Sequence, residues 1–208
     1  MGYLLNNFRE VSQLLMQHIQ MTAITLLVAI LMAVPISLLI TRYRWLALPV
    51  MGLLGGLYTI PSLALIIFLV PVFGLNATSV IVAMVLYTQV ILVRNLTVGL
   101  SGINPAVLEA AKGMGMSQWQ RWWWVQVPLV MPVFIAGVRL AAVVSIAIAT
   151  IGAKFNAGGL GELLFTGIQT NRLDKIWAGA IAVAILAFAV NSLLLWLEQR
   201  SKPVPKGG

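Results

Sequence analysis

An all-α integral membrane fold with five transmembrane helices is the class this sequence predicts, on three observations. Of 208 residues, 61% are hydrophobic and only 9% charged; the mean hydropathy of +0.99 is far above that of a water-soluble domain of this size. Charge-free stretches run over residues 11–41, 45–93 and 176–197, each long enough for a span of ~20 residues and the second for two. The cations are scattered singly between these stretches instead of forming a stripe, so the formal charge of +8 reports membrane topology and not nucleic-acid binding.

Hydrophobic runs and breaks place the helices at about 17–40, 46–72, 77–98, 130–151 and 174–197. The first apolar run begins near Met16 and continues for a full span, unlike the short core of a cleaved leader, and is expected to be retained. Residues 1–16 read as an extracytoplasmic segment, 17–198 as the membrane domain and 199–208 as a cytoplasmic tail ending in a disordered "SKPVPKGG". Segment 153–172 is too polar and glycine-rich to form a sixth span.

If the polar stretch after the third span is cytoplasmic, the inner side receives eight cations: Arg42, Arg44, Arg94, Lys112, Arg121, Arg200, Lys202 and Lys206. The outer side then receives four, Arg9, Lys154, Arg172 and Lys175. That bias places the N-terminus outside and the C-terminus inside, and Trp45, Trp122, Trp123 and Trp124 beside the inner charges fit the same orientation. Arg139, about 10 Å into the fourth span, is expected to snorkel inward.

The chemistry that is missing narrows the function. None of the five acids, Glu10, Glu109, Glu162, Asp174 and Glu198, is placed deep in a span, although ion-coupled carriers need ionisable groups there. No Walker A phosphate loop and no GxSxG occur, and there is no cysteine. The lone histidine, His18, offers too little for a metal site or a Ser/His dyad and reads as a polar group near the outer membrane interface. An intramembrane hydrolase built on Ser62 or Ser145 lacks a partner set. Within the second span, Pro61 in "YTIPSLAL" predicts a kink whose freed backbone groups Thr59 and Ser62 could satisfy. It is either an ordinary bend or part of a solute path.

Residues 104–132 supply the sharpest local pattern. Asn104-Pro105 starts a short helix through "AVLEAAK", and Gly113 and Gly115 end it. Ser117 and Gln120 have capping-box spacing, so a second short helix should run through the tryptophans until Pro128 and Pro132 redirect the chain. The product is an elbow at the inner surface, which spacing alone reads as either a docking knob or an amphipathic connector.

This stretch resembles the EAA loop of ABC-importer membrane subunits: Glu109, Ala110, Ala111 and Gly115 match in register, with Val125, Gln126, Val127 and Pro128 in the place of Ile-x-Leu-Pro. The resemblance spans about residues 20–195. It is sharpest, toward the osmoprotectant permeases that import glycine betaine, choline or carnitine, at "TIPSLAL", "INPAVLEAAKGMGMSQWQ", "AGVRLA" and "AGGLGELLFTGIQTN". It implies the type I ABC importer permease fold, with a cytoplasmic coupling helix carrying Glu109, Ala110, Ala111, Lys112 and Gly115, in which Glu109 helps to fix the elbow through polar contacts. The implied partners are a cytosolic ABC ATPase dimer, a second permease subunit, identical or paralogous, an extracytoplasmic substrate-binding protein and membrane lipid, with no nucleic acid.

By the same resemblance this chain is not itself an enzyme and binds no cofactor, ATP and magnesium being held by the ATPase, and it resides in a bacterial cytoplasmic membrane. Gly158, Gly159 and Gly161 are implied as part of an outer gate. Phe155 and Asn156 stand where the family usually carries Ile-Gly, and Lys154 where a small residue is frequent. Tyr58, Thr59, Pro61, Ser62 and Tyr87 are candidates for the translocation path, the tyrosines because aromatic faces attract quaternary ammonium groups. The alternatives are the permease of an amino-acid-type importer, or a channel or secondary carrier independent of ATP.

Overall fold

The computed structural model describes Tyr3 and residues 7–202; the tail over 203–208, with Lys206, lies outside the described residues, as does most of 1–6. Helix α1 spans Phe8–Arg42, α2 Ala47–Thr59, α3 Ser62–Phe73, α4 Ala77–Ser101, α5 Pro105–Gly113, α6 Gln118–Arg121, α7 Val127–Gly152, α8 Gly161–Gln169 and α9 Leu173–Ser201. Four helical runs, containing α1, α4, α7 and α9, are each long and apolar enough to cross a membrane, and α2 with α3 forms a bent fifth. Segment 153–172 contributes a short 3-10 turn, Ala153–Phe155, and the nine-residue α8, and no sixth span.

Helix α1 begins nine residues before the expected boundary of 17. Tertiary packing extends it: Leu14 is buried with Ile146, Leu160, Leu163 and Leu186, and Val11 and Leu15 pack against that cluster. Further along, the buried face of α1 repeats every fourth residue through Met21, Thr25, Ala29, Ala33 and Ser37. Small side chains there bring its backbone close to α4, as is usual where lipid supplies no hydrophobic drive between helices. Gln89 Nε2 donates to the Ala29 carbonyl at 3.1 Å, and Ser37 Oγ donates to the Ala33 carbonyl at 2.7 Å.

The second span departs from its expectation. Instead of one kinked helix, it is two helices meeting at 97°, because Ile60 (φ −67°, ψ 129°) and Pro61 (φ −55°, ψ 133°) are both extended. Proline drives the residue before it out of the helical region, and no side chain recloses the helix. As expected, Thr59 does serve a freed carbonyl: its hydroxyl donates to Gly56 O at 2.7 Å, while the Ile60 N–H turns to Leu57 O. Ser62 opens α3.

Helix α4 is the axis of the bundle. One apolar cluster joins it to α1, α2 and α7 through Ala33, Leu54, Leu92, Leu96 and Ala141. A second joins it to α3 and the end of α7 through Ile66, Val80, Met84 and Ile148. Glycines set its closest approach to α7: a Cβ on Gly137 would stand 2.8 Å from the Asn95 side chain, and one on Gly152 2.6 Å from Val80. Helix α9 lies at the edge, with Ile185, Phe188 and Leu193 exposed, a surface suited to hydrocarbon and not to water.

Candidate functional site: the elbow and the glycine strap

The elbow is a chain of caps. Asn104 Oδ1 accepts the Ala106 N–H at 3.0 Å and Pro105 occupies the first helical turn, where its missing donor costs nothing. At the other end of α5 the Gly115 N–H donates to Lys112 O and the Met116 N–H to Ala111 O. With Gly115 at φ 82°, this is a Schellman reversal. Gly113 is instead the last helical residue. Ser117 Oγ then accepts the Gln120 N–H at 3.2 Å while Gln120 Oε1 accepts the Ser117 N–H at 2.8 Å, completing the expected capping box.

Ala111 is the one buried residue of α5. Glu109, Ala110, Lys112 and Gly115 all lie on its exposed surface. The expectation that Glu109 fixes the elbow is corrected here: the bonds just described hold it, and the Glu109 carboxylate makes no polar contact among the described residues.

Beyond the elbow, Pro128 and Pro132 do not redirect the chain as expected. A π-helical turn over Trp122–Gln126 links α6 to α7, with the Val127 N–H reaching back five residues to Trp122 O. That wide turn places Pro128 in the first turn of α7, where no donor is needed. Pro132 lies inside the continuing helix. The outcome is one helical run of 38 residues, Gln118–Phe155, roughly 57 Å long at 1.5 Å per residue. Its elbow end carries Trp119 and Trp123, packed edge to face with centroids 5.7 Å apart.

At the opposite end this run delivers the chain to the glycine strap. Phe155 is buried in the cluster around α4. Asn156 takes the left-handed conformation at φ 58°, which asparagine tolerates better than most residues, so both departures from the Ile-Gly pair are accommodated. Lys154 Nζ lies 4.7 Å from the Phe165 ring centroid. Gly158 (φ 77°) and Gly159 (φ 81°) then bend the strap inward. Any Cβ on Gly161 would collide with the Thr150 backbone carbonyl, so α8 packs backbone to backbone on α7.

Two contacts in this region were not foreseen. Gln17 Oε1 accepts the Gly159 N–H at 3.0 Å, and His18 Nδ1 accepts the Leu160 N–H at 3.3 Å. The reading of His18 as an interfacial polar group is wrong: its side chain is fully buried, and Nε2 lies 3.2 Å from Ile146 O on α7. The available signal was the polar Gln-His pair near the start of the first apolar run, which periodicity alone could not join to a loop 142 positions away.

The path candidates are only partly gathered. Tyr58 and Tyr87 stack at a tilt with centroids 5.5 Å apart, while Thr59, Pro61 and Ser62 mark the adjoining break. Tyr58 is exposed and Tyr87 buried, its hydroxyl without a partner among the described residues. Arg139 reaches the C-terminal half of α9, where Nε donates to Glu198 Oε2 at 3.2 Å and Nη1 to Asn191 Oδ1 at 3.3 Å.

Comparison with known proteins agrees with this arrangement. Residues 25–203 match the family described as "Binding-protein-dependent transport system inner membrane component". The osmoprotectant import permease protein OsmW of Salmonella typhimurium is 37% identical over 99% of this chain and 97% of its own length. The carnitine transport permease protein OpuCB of Listeria monocytogenes is 38% identical over 90% of this chain and 86% of its own. Among solved structures, the inward-facing MetNI methionine ABC transporter has a chain that superposes with a TM-score of 0.80 at 17% identity, covering 94% of this chain and 98% of that one, a likeness of fold.

Proposed function

The chain belongs to the family of binding-protein-dependent transport system inner membrane components, and from that membership we propose that it is the permease subunit of an ATP-driven importer of osmoprotectants. The relatives' names supply the solute class, compounds such as glycine betaine, choline or carnitine.

One observation carries the mechanism: the helical run Gln118–Phe155 begins at the elbow and ends at the strap. In the proposed cycle a cytosolic ATPase dimer grips α5 through its exposed face, Glu109 and Lys112 included. Closure of the ATPases displaces the elbow, and the continuous helical run carries that displacement to Gly158, Gly159 and Gly161 beneath a docked binding protein. Packed elements of this kind exchange between discrete arrangements, which gives alternating access to the path beside Tyr58 and Tyr87. A second permease subunit, identical or paralogous, closes the other side of the path.

The orientation follows the cation bias: N-terminus outside, C-terminus in the cytoplasm of a bacterium. ATP and magnesium belong to the ATPase, and this chain holds no cofactor and catalyses no reaction.

The test is uptake of labelled glycine betaine, choline and carnitine in a bacterium lacking its own osmoprotectant importers, with the chain expressed beside its ATPase and binding protein. Uptake requiring all components is expected, and Glu109→Lys should reduce it at least tenfold while leaving membrane insertion intact. Flux in proteoliposomes without ATP would overturn the proposal in favour of a channel or secondary carrier.

A further inference from the structure

Helix α8 has no capping side chain of its own: Leu160 occupies the cap position and makes no side-chain bond. The N–H groups of Gly159 and Leu160 find their acceptors instead on α1, at Gln17 Oε1 and His18 Nδ1. An N–H buried without an acceptor is costly; the first-turn amides of Glu162 and Leu163 bond to the Gly159 and Leu160 carbonyls, and a separate helix supplies acceptors for the two strap amides just before α8.

The bonds also fix the state of the imidazole. Since Nδ1 accepts from Leu160, it bears the lone pair, and the neutral ring carries its proton on Nε2, which donates to Ile146 O. The same carbonyl accepts the Thr150 hydroxyl at 2.9 Å, and the Thr150 carbonyl is the atom against which Gly161 packs. One buried ring thus touches α1, α7 and the strap together.

We propose that Gln17 and His18 are positioning residues of the outer gate: they clamp two successive strap amides to α1, and Nε2-protonated His18 ties that clamp to α7. The proposal rests on the reading of the strap as a gate. Its physical consequence is that the strap keeps its inward conformation only while α1 and α7 stay in register. A relative shift of these two helices breaks the His18 bridge and frees the strap.

Two amides of histidine length separate the clamp from simple space filling. Asparagine places an acceptor near the Nδ1 position and can keep the Leu160 bond while losing Ile146. Glutamine places a donor near the Nε2 position and can keep Ile146 while leaving the Leu160 N–H without an acceptor. The experiment uses the assembled transporter in lipid nanodiscs, with amide hydrogen exchange over 157–161 and solute transported per ATP as readouts.

Exchange at Leu160 should stay slow in wild type and His18→Asn and rise about tenfold in His18→Gln and His18→Ala, the loss expected from one hydrogen bond. Solute per ATP should fall in the same order. Gln17→Ala, at an exposed position and therefore well tolerated in folding, should speed exchange at Gly159 alone. Equal Leu160 exchange in His18→Gln and wild type, or equal Gly159 exchange in Gln17→Ala and wild type, would overturn the clamp. Slow exchange that depends on the clamp, in a wild-type complex that moves no solute, would instead refute the gate reading.

Discussion

Arg139 on α7 and Glu198 on α9 form an ion pair at 3.2 Å, with side-chain exposures of 31% and 13%. The pair joins the peripheral last helix to the run that connects elbow and strap. Lys202 Nζ lies 3.8 Å from the other Glu198 oxygen but is 59% exposed, so it compensates the carboxylate weakly. Arg139→Ala should therefore destabilise the detergent-solubilised chain by about 1–3 kcal/mol, the usual cost of leaving a largely buried polar group unpaired. Combining it with Glu198→Gln should cost less than the sum of the two single changes, read from unfolding midpoints in a double-mutant cycle.

The two elbow glycines should respond in opposite directions. A methyl group added at Gly113, which is helical, would enter open space, whereas Gly115, equally open, sits at φ 82°. Gly113→Ala should leave uptake intact and stabilise α5 by roughly 0.5–1 kcal/mol, since alanine loses less freedom in a helix. Gly115→Ala should cost about 1–2 kcal/mol in left-handed strain and reduce uptake. Helicity of the purified complex on heating and initial rates of solute entry provide the comparison.

Gly161→Ala meets backbone and not a flexible side chain, because the obstacle is the Thr150 carbonyl. Helix α8 would have to back away from α7. A loss of about 1–3 kcal/mol is expected from overpacking alone, along with a smaller yield of assembled complex. A wild-type unfolding midpoint for this variant would mean that α8 does not pack as described.

Much of the elbow was legible because its determinants are local. Asn104, Pro105, Ser117 and Gln120 act on neighbours within a few residues, and their types state the bond they make. The break at Pro61 was legible in position but not in angle, since whether proline kinks or interrupts a helix depends on what packs on either side. Pro128 misled for a related reason: a π turn, invisible in the residue pattern, places it where a helix can absorb it. The early start of α1 and the burial of His18 depend on Leu186, Leu160 and Ile146, which chain order keeps far apart. The reading of the exposed α5 face as a coupling surface came from resemblance and not from physics, because the residue pattern around Glu109 does not name a partner.

A relay between two sites works from either end. If the run from Gln118 to Phe155 relays a displaced elbow to the strap, a protein settling on the outer surface must bias the elbow by the same free energy, since equilibrium coupling between two sites is reciprocal. The nucleotide affinity of the motor would then report whether a loaded receptor sits on the far side of the membrane, with no second signalling route between them.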